Sequence, residues 1–429
     1  MSALKVSFHT LGCKLNFAET ATLARQFKAA GYEKAAAGEA DIHVINTCTV
    51  TEHADKKCRN LIRKLARTNP GAIIAVTGCY AQLKPDTIME IEGVDIVLGN
   101  SVKGLLFTQV DELARKGRLN PCETNAVAGF FSAFSTEGRT RSFLKVQDGC
   151  DYKCAYCTIP YARGGSRNVP IAEAVEQARE IAASGQKEIV ITGINTGDFG
   201  HTTGERFIDL LRGLDTVDGI ERYRISSIEP NLLTDEVIAF TAASAKFQPH
   251  FHIPLQSGCD RILGLMRRRY TTDVFTGRME AVRRLMPDTF FGIDVIVGFP
   301  GETDDDFQTT YDFIESISPA YLHVFPYSDR PLAPASKFVG KIDPHVAAER
   351  VKRLSALSDR LHRGFSERHI GSEAYVLWES TMKDGRMSGF TGNYIRVSAP
   401  YDRKYVNEIT KVRLGPLQAD GSLAGEITN

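Results

Sequence analysis

The chain has 429 residues, which is too long for one ordinary hydrophobic core and predicts two or three domains. A hydrophobic fraction of 43% and a charged fraction of 24% are typical of a folded globular protein and exclude a largely disordered chain. The 52 basic and 52 acidic residues cancel, so no general attraction draws the protein to nucleic acid or to a membrane surface. Any RNA binding must therefore come from a local patch.

Two further features predict the compartment and the use of the cysteines. The start, MSALKVSFHT, has no basic segment followed by a long apolar region, and the sequence has no apolar run of about 18 residues that could span a bilayer. We therefore expect a cytoplasmic protein without membrane association. In that reducing compartment, nine cysteines predict metal ligation or catalysis instead of a disulfide framework.

The first third of the chain alternates short β-branched runs with helical stretches. This order predicts right-handed crossovers and an N-terminal doubly wound parallel sheet. Cys13, Cys48 and Cys79 come just after the first, second and third predicted strands. Because the carboxyl ends of parallel strands line the ligand crevice of such a sheet, these three thiols could converge on one point. Taken alone, buried structural thiols would explain them equally well.

A helical stretch and a polar segment over residues 103–140 predict a linker with a boundary near residue 135. Six units of strand and helix begin at residue 142, and they predict a partial or complete barrel of parallel strands with its chemistry at the carboxyl ends of the strands. A long helical run then leads to about 60 residues of short alternating strands, which predict a small C-terminal β-barrel.

The segment DGCDYKCAYCTIP places Cys150, Cys154 and Cys157 directly after the first barrel strand, with the spacing C-x3-C-x2-C. A structural zinc site normally has four protein ligands, and an electron-transfer iron–sulfur cluster usually has four cysteine ligands, but no fourth ligand is near in the sequence. Three thiolates on a four-iron cluster would leave one iron open to another ligand, which predicts a reactive site. Three unrelated buried cysteines are the alternative.

The same motif, with Tyr156 before its last cysteine, resembles the signature of the radical S-adenosylmethionine superfamily. The resemblance implies that Cys150, Cys154 and Cys157 hold a 4Fe-4S cluster. It also implies that the amine and carboxylate of S-adenosylmethionine chelate the open iron, and that electron transfer then cleaves the sulfonium to give a 5'-deoxyadenosyl radical.

The segments TLGCKLN, INTCTVTEHADKK and VTGCYAQ resemble the N-terminal domain of the methylthiotransferases, and the C-terminal strands resemble the RNA-binding TRAM domain. The resemblance implies a second 4Fe-4S cluster on Cys13, Cys48 and Cys79. It implies a methylthiotransferase N-terminal domain, a radical S-adenosylmethionine domain and a TRAM domain over residues 1–135, 136–366 and 367–429. The remaining cysteines are interpreted as structural: Cys58, Cys122 and Cys259.

Polar groups follow the later barrel strands, where they could contact the amine, carboxylate and ribose of the cofactor. Related enzymes approach the cofactor with backbone groups after the second strand, although a plain turn would explain those residues nearly as well. Together with Tyr156, the predicted cofactor contacts are Gly193, Asn195, Ser226, Ser227, Glu229, Gln256 and Asp294.

Local basic clusters predict contact with RNA. One predicted helix carries Lys56, Lys57, Arg59, Arg63, Lys64 and Arg67, and a second cluster consists of Arg267, Arg268 and Arg269. The C-terminal barrel adds a mixture suited to base stacking and phosphate contact, namely Tyr375, Trp378, Phe390, Tyr394 and Arg396. Solvated charged faces and core aromatic residues are the alternative explanation.

The N-terminal segments most resemble the methylthiotransferase branch that acts on N6-threonylcarbamoyladenosine. This implies methylthiolation of carbon 2 of that nucleoside, next to the anticodon in tRNA; isopentenyladenosine in tRNA and an aspartate of a ribosomal protein are the alternative substrates. A threonylcarbamoyl group carries a carboxylate, so its pocket should contain a cation or backbone donors. Arg163 and Arg330 are the predicted substrate contacts, whereas the shortened segment RGGSR gives Arg167 no such role.

The resemblance further implies two molecules of S-adenosylmethionine, one that methylates a sulfur on the auxiliary cluster and one that yields the radical which abstracts hydrogen from carbon 2. The expected partners are the anticodon stem-loop of tRNA and an electron donor such as flavodoxin or ferredoxin, and we expect a monomer. A non-catalytic iron–sulfur or zinc protein that binds RNA is the rival interpretation.

Overall fold

The computed structural model describes residues 3–116, 122–124, 127, 129–136 and 139–428. Its N-terminal part alternates strands with helices. The strands are β1 (Lys5–Thr10), β2 (Glu33–Lys34), β3 (Ile42–Thr47), β4 (Ile73–Gly78), β5 (Ile96–Leu98) and β6 (Cys122–Glu123). The helices are α1 (Lys14–Ala29), α2 (Glu52–Thr68), α3 (Cys79–Leu83), α4 (Pro85–Met89) and α5 (Leu106–Lys116).

These six strands form one parallel sheet in the order β2-β1-β3-β4-β5-β6. Helices cover both faces, because α1 and α5 pack over a core that includes Val6 and Val44, whereas α2 packs over Ile45 and Val76. The chain passes from β1 to the edge strand β2 and returns to β3 on the other side of β1. This confirms the predicted doubly wound sheet and places its ligand crevice at the carboxyl ends of β1 and β3.

The central part contains nine strands and eight helices. The strands are β7 (Ala133–Phe134), β8 (Arg141–Lys145), β9 (Gln147–Asp148), β10 (Arg167–Asn168), β11 (Glu188–Thr192), β12 (Arg222–Ile225), β13 (His250–Gln256), β14 (Phe290–Val297) and β15 (Tyr321–Pro326). The helices are α6 (Ile159–Arg163), α7 (Ile171–Ala183), α8 (Phe207–Asp215), α9 (Asp235–Ala243), α10 (Asp260–Leu265), α11 (Thr272–Leu285), α12 (Asp304–Ile317) and α13 (Pro344–Glu367).

Six of these strands follow one another in chain order as a parallel wall: β8, β11, β12, β13, β14 and β15. Only isolated bridges, one of them between Ser227 and His252, join β12 to β13. Within the described part of the chain, no pairing joins β15 back to β8, so the predicted barrel is a partial one. Helix α1 of the N-terminal part packs against Phe143 and Val190, on the face of β8 and β11 that carries no barrel helix.

The C-terminal strands form a closed barrel in the order β16-β17-β18-β20-β19, which confirms the predicted small barrel. Its strands are β16 (Glu373–Lys383), β17 (Arg386–Thr391), β18 (Arg396–Pro400), β19 (Ile409–Leu417) and β20 (Leu423–Ile427). Trp378 is fully buried in its core and donates from Nε1 to the Oγ1 of Thr410 at 2.8 Å. The sequence did not separate β17 from β18 or predict β20, because short strands and tight turns leave a weak pattern.

This C-terminal barrel sits on the amino ends of the central strands. Arg222 donates to the backbone carbonyl oxygens of Phe390 and Tyr375, at 3.0 and 2.8 Å. Arg224 donates to the carbonyl oxygen of Gly392 at 2.7 Å. Glu188, fully buried, accepts from Arg224 at 2.8 Å and compensates its charge. The C-terminal barrel is therefore attached at the amino ends of these strands and not at their carboxyl ends.

None of the helices in the described ranges combines the length and the apolar character that crossing a membrane requires. The predicted boundaries near residues 135 and 366 stay a prediction. The side chain of Cys122 lies outside the described residues.

Replacing Trp378 by alanine should lower the thermal unfolding midpoint of the C-terminal barrel. Loss of a fully buried indole typically costs about 3–5 kcal/mol, and Trp378 has no exposed surface. Differential scanning calorimetry of the full chain measures the effect, with Tyr375→Ala as the control because Tyr375 is 61% exposed. Equal midpoints for the two variants would contradict the assigned core.

Candidate active site

The three N-terminal cysteines lie at the carboxyl ends of β1, β3 and β4. Cys13 directly precedes α1, Cys48 follows β3, and Cys79 is the first residue of α3. Gly12 has a φ of +101°, and a Cβ there would lie 2.7 Å from the Cβ of Cys48. The turn after β1 can therefore approach Cys48 closely only because it carries no side chain. The structure brings the three predicted ligands to one edge of the sheet.

The surroundings of this N-terminal triad disfavour free thiolates. Burial raises the pKa of Cys48 to about 12, and the neighbouring thiols add to this effect. Burial also raises the pKa of Cys13, which lines a cavity, whereas the charge of Arg163 opposes the increase. Behind the triad, the Sγ of the fully buried Cys58 donates to the carbonyl oxygen of Cys48 at 3.4 Å. Thiols in such a place become thiolates when a cationic group binds them.

The second triad lies on the loop between β9 and α6, at the carboxyl side of the first barrel strand. The backbone N–H groups of Tyr152 and Ile159 donate to the Sγ atoms of Cys150 and Cys157, at 3.3 and 3.4 Å. Burial nevertheless raises the pKa of both thiols to about 12, and their neighbour Cys154 contributes. This loop is therefore also built for a cationic group that stabilises sulfur anions.

Gly149 fixes the path of the second loop. Its φ is +70°, and a Cβ there would lie 2.0 Å from the carbonyl oxygen of Gly165. The N–H of Cys150 donates to the carbonyl oxygen of Gly164 at 3.1 Å. The shortened segment RGGSR thus packs directly against the cysteine loop and supports it.

The spacing of the sulfur atoms bears on whether a single zinc ion could bind at either triad. A tetrahedral zinc ion with Zn–S bonds of about 2.3 Å holds its sulfur ligands about 3.8 Å apart. Across the described residues, neither cysteine triad has its three sulfur atoms within 4.8 Å of one another. Cysteines of each triad still interact electrostatically. Three thiols per site are a suitable donor set for a four-iron cluster that keeps one iron without a protein ligand.

Two of the predicted cofactor contacts carry buried polar atoms without a partner. Among the described residues, neither the side-chain nitrogen of Asn195 nor the hydroxyl of Ser226 has a hydrogen-bond partner, although both residues are buried. Both lie just beyond the carboxyl ends of barrel strands, on the side of the second cysteine triad. Because an unpaired buried polar group is costly, these atoms fit a polar ligand such as S-adenosylmethionine.

The turn that holds Gly193 and Asn195 is tied to the cysteine loop by Gln147, which the sequence did not single out. The Oε1 of Gln147 accepts from the N–H groups of Ile194 and Asn195, at 2.9 and 3.0 Å. Its Nε2 donates to the carbonyl oxygen of Gly149 at 2.8 Å. The candidate cofactor surface and the second triad therefore move as one unit.

Arg268 connects the second triad with two predicted cofactor contacts. Its guanidinium donates to the Sγ of Cys154 at 3.1 Å, to the hydroxyl of Tyr156 at 3.3 Å and to the carboxylate of Glu229. Burial raises the pKa of Glu229, and this ion pair opposes the increase. The prediction that Arg268 contacts phosphates is wrong, because its side chain is 3% exposed and already paired.

A polar cluster occupies the interior of the partial barrel. The Nε2 of His252 lies 2.9 Å from the Oδ1 of Asp294, and its Nδ1 lies 2.8 Å from the Oγ of Ser227. His323 completes the cluster, with ligand atoms of the three groups within 4.8 Å of one another. The sequence predicted Ser227 and Asp294 but neither histidine. Gln256, at the end of β13, has a φ of +65°, a strained conformation of the kind that clusters at functional sites.

Arg163 and Arg330, the predicted substrate contacts, are both buried and paired with carboxylates. Arg330 donates to the Oδ2 of Asp55 at 3.0 Å. Arg163 lies 3.1 Å from Glu19 and 2.9 Å from Asp148. The pairs with Asp55 and Glu19 join the N-terminal and central parts of the chain, whereas Asp148 lies in the central part. A contact of either arginine with substrate stays a prediction, and the structure gives both of them a role in joining the two parts.

Two lysines complete a fully buried ionic network around Arg163. The Nζ of Lys145 lies 2.8 Å from Glu19 and 2.7 Å from Asp148, and Lys103 pairs with Glu19. Burial disfavours the charged form of both carboxylates. The surrounding cations nevertheless hold the pKa values of Glu19 and Asp148 below their usual range.

Known proteins resemble this chain over nearly its whole length. Residues 5–99 match a family described as Uncharacterized protein family UPF0004, and residues 144–314 match the Radical SAM superfamily. Threonylcarbamoyladenosine tRNA methylthiotransferase MtaB of Bacillus subtilis (strain 168) is 41% identical over 95% of this chain and 93% of its own length. MtaB of Aquifex aeolicus (strain VF5) is 38% identical over 92% and 96%. This chain belongs to the radical S-adenosylmethionine methylthiotransferase family.

Two further comparisons set the limits of this assignment. The tRNA-2-methylthio-N(6)-dimethylallyladenosine synthase of Clavibacter sepedonicus is 35% identical to this methylthiotransferase over 89% of this chain and 73% of its own length. The structure of the radical S-adenosylmethionine methyltransferase TsrM from Kitasatospora setae, with cobalamin and a [4Fe-4S] cluster bound, matches with a TM-score of 0.58 at 13% identity, over 90% of this chain and 81% of TsrM. At that identity TsrM shows the shared fold alone.

The methylthiotransferase exposes part of the basic surface that the sequence predicted. On α2, Arg59 donates to the hydroxyl of Tyr80 at 3.0 Å, whereas the exposed basic residues are Lys56, Lys57, Arg63, Lys64 and Arg67. In the C-terminal barrel, Trp378 is core and the rings of Phe390 and Tyr394 stack at 4.8 Å. Tyr375 and Arg396 remain exposed and available to RNA.

Replacing Arg163 by methionine should destabilise the methylthiotransferase, because Glu19 and Asp148 would stay buried with one cation fewer. Removing one partner of a buried ion pair costs about 3–5 kcal/mol, which corresponds to a fall of roughly 5 °C in the thermal unfolding midpoint of a chain of this length. The midpoint of the full chain measures this. The control is Arg179→Met, which removes a pair between exposed side chains. A midpoint of Arg163→Met equal to that of the control would show that the network is not structural.

Proposed function

We propose that this methylthiotransferase modifies carbon 2 of N6-threonylcarbamoyladenosine next to the anticodon in tRNA and gives the 2-methylthio derivative. The observation that carries the proposal is the presence of two three-cysteine sites on one chain, each at the carboxyl ends of parallel strands. The named relatives with 41% and 38% identity support the choice of nucleoside. A simple S-adenosylmethionine methyltransferase has no use for a second cysteine site.

The cofactors are two 4Fe-4S clusters and S-adenosylmethionine. We assign the auxiliary cluster to Cys13, Cys48 and Cys79, and the radical-generating cluster to Cys150, Cys154 and Cys157. When bound, these groups supply the electron, the radical and the methylthio group that the replacement of a carbon-bound hydrogen requires. We assign S-adenosylmethionine to the surface formed by Tyr156, Gly193, Asn195, Ser226, Ser227, Glu229, Gln256 and Asp294.

The residues of the chain itself position the reactants and exclude water. Gln147 holds the turn after β11 against the cysteine loop. Arg268 fixes Glu229 and places a positive charge beside Cys154. The Arg163 network fixes the N-terminal sheet relative to the barrel, so the distance between the two cysteine sites is set by buried contacts. Such rigidity is what positioning of a short-lived radical requires.

The interior of the barrel favours threonylcarbamoyladenosine over isopentenyladenosine. An isopentenyl group needs an apolar pocket, but His252, Asp294 and His323 make the interior polar. Burial lowers the pKa of Lys14, at the start of α1, whereas its interaction with Asp294 opposes the decrease and favours the charged form near this interior. A substituent with a carboxylate, a hydroxyl and a urea-like group can form hydrogen bonds with such side chains.

We infer that tRNA binds across α2 and the C-terminal barrel. The exposed cations of α2 are suited to phosphates, and Tyr375 and Arg396 of the barrel to bases and phosphates. An electron donor such as flavodoxin or ferredoxin supplies the electron, and the chain acts as a monomer. Sedimentation of the holoenzyme with and without tRNA tests the last point.

Loss of the protein should remove the methylthio mark from threonylcarbamoyladenosine in cellular tRNA. Nucleoside mass spectrometry of tRNA from cells with and without the gene measures this, and the unmethylthiolated nucleoside should accumulate. A plasmid copy should restore the mark, whereas a Cys150→Ala copy should not. An unchanged mark together with loss on isopentenyladenosine or on a ribosomal protein would overturn the choice of substrate.

The reconstituted holoenzyme should contain about eight irons per chain, because two four-iron clusters are bound. Cys13→Ala and Cys150→Ala should each retain about four, since each variant disables one site. Iron analysis after anaerobic reconstitution measures this. Cys259→Ala is the matched control, because the Sγ of Cys259 donates to Asp306 and Cys259 is not one of the six assigned ligands. A full iron content in Cys13→Ala would contradict the ligand assignment.

A further inference from the structure

A cavity of about 280 Å³ lies beside Cys13, where the N-terminal sheet, the partial barrel and the C-terminal barrel meet. All three parts contribute to its wall, and four of the side chains that line it are cationic. Among the lining residues are Cys13, Lys14, Arg139, Arg141, Arg224 and Tyr394. Neither the proposed clusters nor the proposed S-adenosylmethionine surface uses this cavity, apart from Cys13.

The positive charge of the cavity is only partly compensated by the protein. Arg141 lies 3.1 Å from the carboxylate of Glu379, and Arg224 is paired with the buried Glu188. In contrast, no carboxylate of the described ranges lies within 4.0 Å of the side-chain nitrogens of Lys14 or Arg139. Arg139 instead stacks on the ring of Phe17, 4.6 Å from its centroid. Within the described part of the chain, two cations therefore face the cavity without a carboxylate partner, as a site for an anion would require.

The size of the cavity suits a small anion. At about 30 Å³ for each water-sized group, the cavity holds roughly nine such groups. This is the size of a small branched acid, whereas a nucleotide would need far more room. A single phosphate would leave much of the space unfilled.

We propose that this cavity binds the carboxylate of the threonylcarbamoyl group, with Lys14 as its principal cation and Arg139 as the second. This inference rests on the proposed function and deepens it. In adenine, only one ring nitrogen separates carbon 2 from the carbon that bears the N6 substituent. When carbon 2 faces the auxiliary cluster, the N6 substituent must therefore lie close to the same cluster. A cavity lined by Cys13 meets this requirement.

The position of Lys14 also explains how the cavity can select its substrate. Lys14 lines the cavity together with Arg141 and Tyr394. A carboxylate on the substituent would meet Lys14 there, and an isopentenyl group would leave its charge unpaired. Lys14 would therefore both bind the threonylcarbamoyl group and disfavour the isopentenyl group.

The test compares the binding of three anticodon stem-loops by the reconstituted holoenzyme. The stem-loops carry threonylcarbamoyladenosine, its methyl ester or unmodified adenosine, and fluorescence anisotropy gives each Kd. The variants are Lys14→Met, Lys14→Arg and Arg139→Gln. Lys352→Met is the control, because Lys352 is 80% exposed on α13. Iron content and the thermal unfolding midpoint are measured for each variant, so a loss of folding or of cluster is recognised.

The wild type should bind the free acid at least about tenfold more tightly than the ester, as one charge-assisted hydrogen bond predicts. Lys14→Met should abolish most of the preference for the acid over the ester, and Arg139→Gln should reduce this preference. Lys14→Arg should retain part of it. The Lys352→Met control should keep the wild-type ratio. If Lys14→Met binds too little iron, the acid-to-ester affinity ratios of Arg139→Gln and Lys14→Arg test whether the cavity binds the carboxylate.

Two other outcomes would overturn the inference. An equal loss of affinity for all three stem-loops would assign the cavity to an RNA phosphate, and a full acid-to-ester ratio in both Lys14→Met and Arg139→Gln would place the carboxylate elsewhere. In the second case the proposed function would survive. A wild type that binds the threonylcarbamoyl and unmodified stem-loops equally would instead count against the proposed substrate itself.

Discussion

The buried ionic network around Arg163 is the contact on which the rest of the structure depends. Its members lie close in sequence to both cysteine sites, because Glu19 is on the helix that begins after Cys13 and Asp148 lies two residues before Cys150. Burying several charges carries a large desolvation cost, and well-packed apolar residues could join two domains at least as stably. We interpret the network as a device that fixes one relative position of the two sites.

The parts of this methylthiotransferase that could be predicted from its sequence are those with local patterns. Strand ends and helix starts of the N-terminal sheet, and the C-x3-C-x2-C motif, are each contained in a few neighbouring residues. The rule that ligands bind at the carboxyl ends of parallel strands then joined Cys13, Cys48 and Cys79 across 66 residues of chain. This general rule of topology predicted that the three cysteines lie close together, which the sequence alone does not show.

The parts that could not be predicted are pairings between distant positions whose residues look like ordinary surface charges. In the sequence, Arg268 looks like one member of a basic run. Its guanidinium nevertheless donates a hydrogen bond to the Sγ of Cys154, 114 positions earlier. Arg163 pairs with Glu19, 144 positions away. A charged side chain gives no sign of its partner in a single sequence, and a buried one is indistinguishable there from an exposed one. His252 and Lys14 escaped notice for the same reason.

The C-terminal barrel has a second role that follows from where it is attached. It contributes Tyr394 to the cavity beside Cys13, and the hydroxyl of Tyr394 accepts from Arg141 at 2.8 Å. Backbone carbonyls of the same barrel hold Arg222 and Arg224 at the amino ends of the central strands. A barrel that only captured RNA would need no such contacts. Because it forms part of the cavity wall, the position of the barrel and the shape of the cavity are set together.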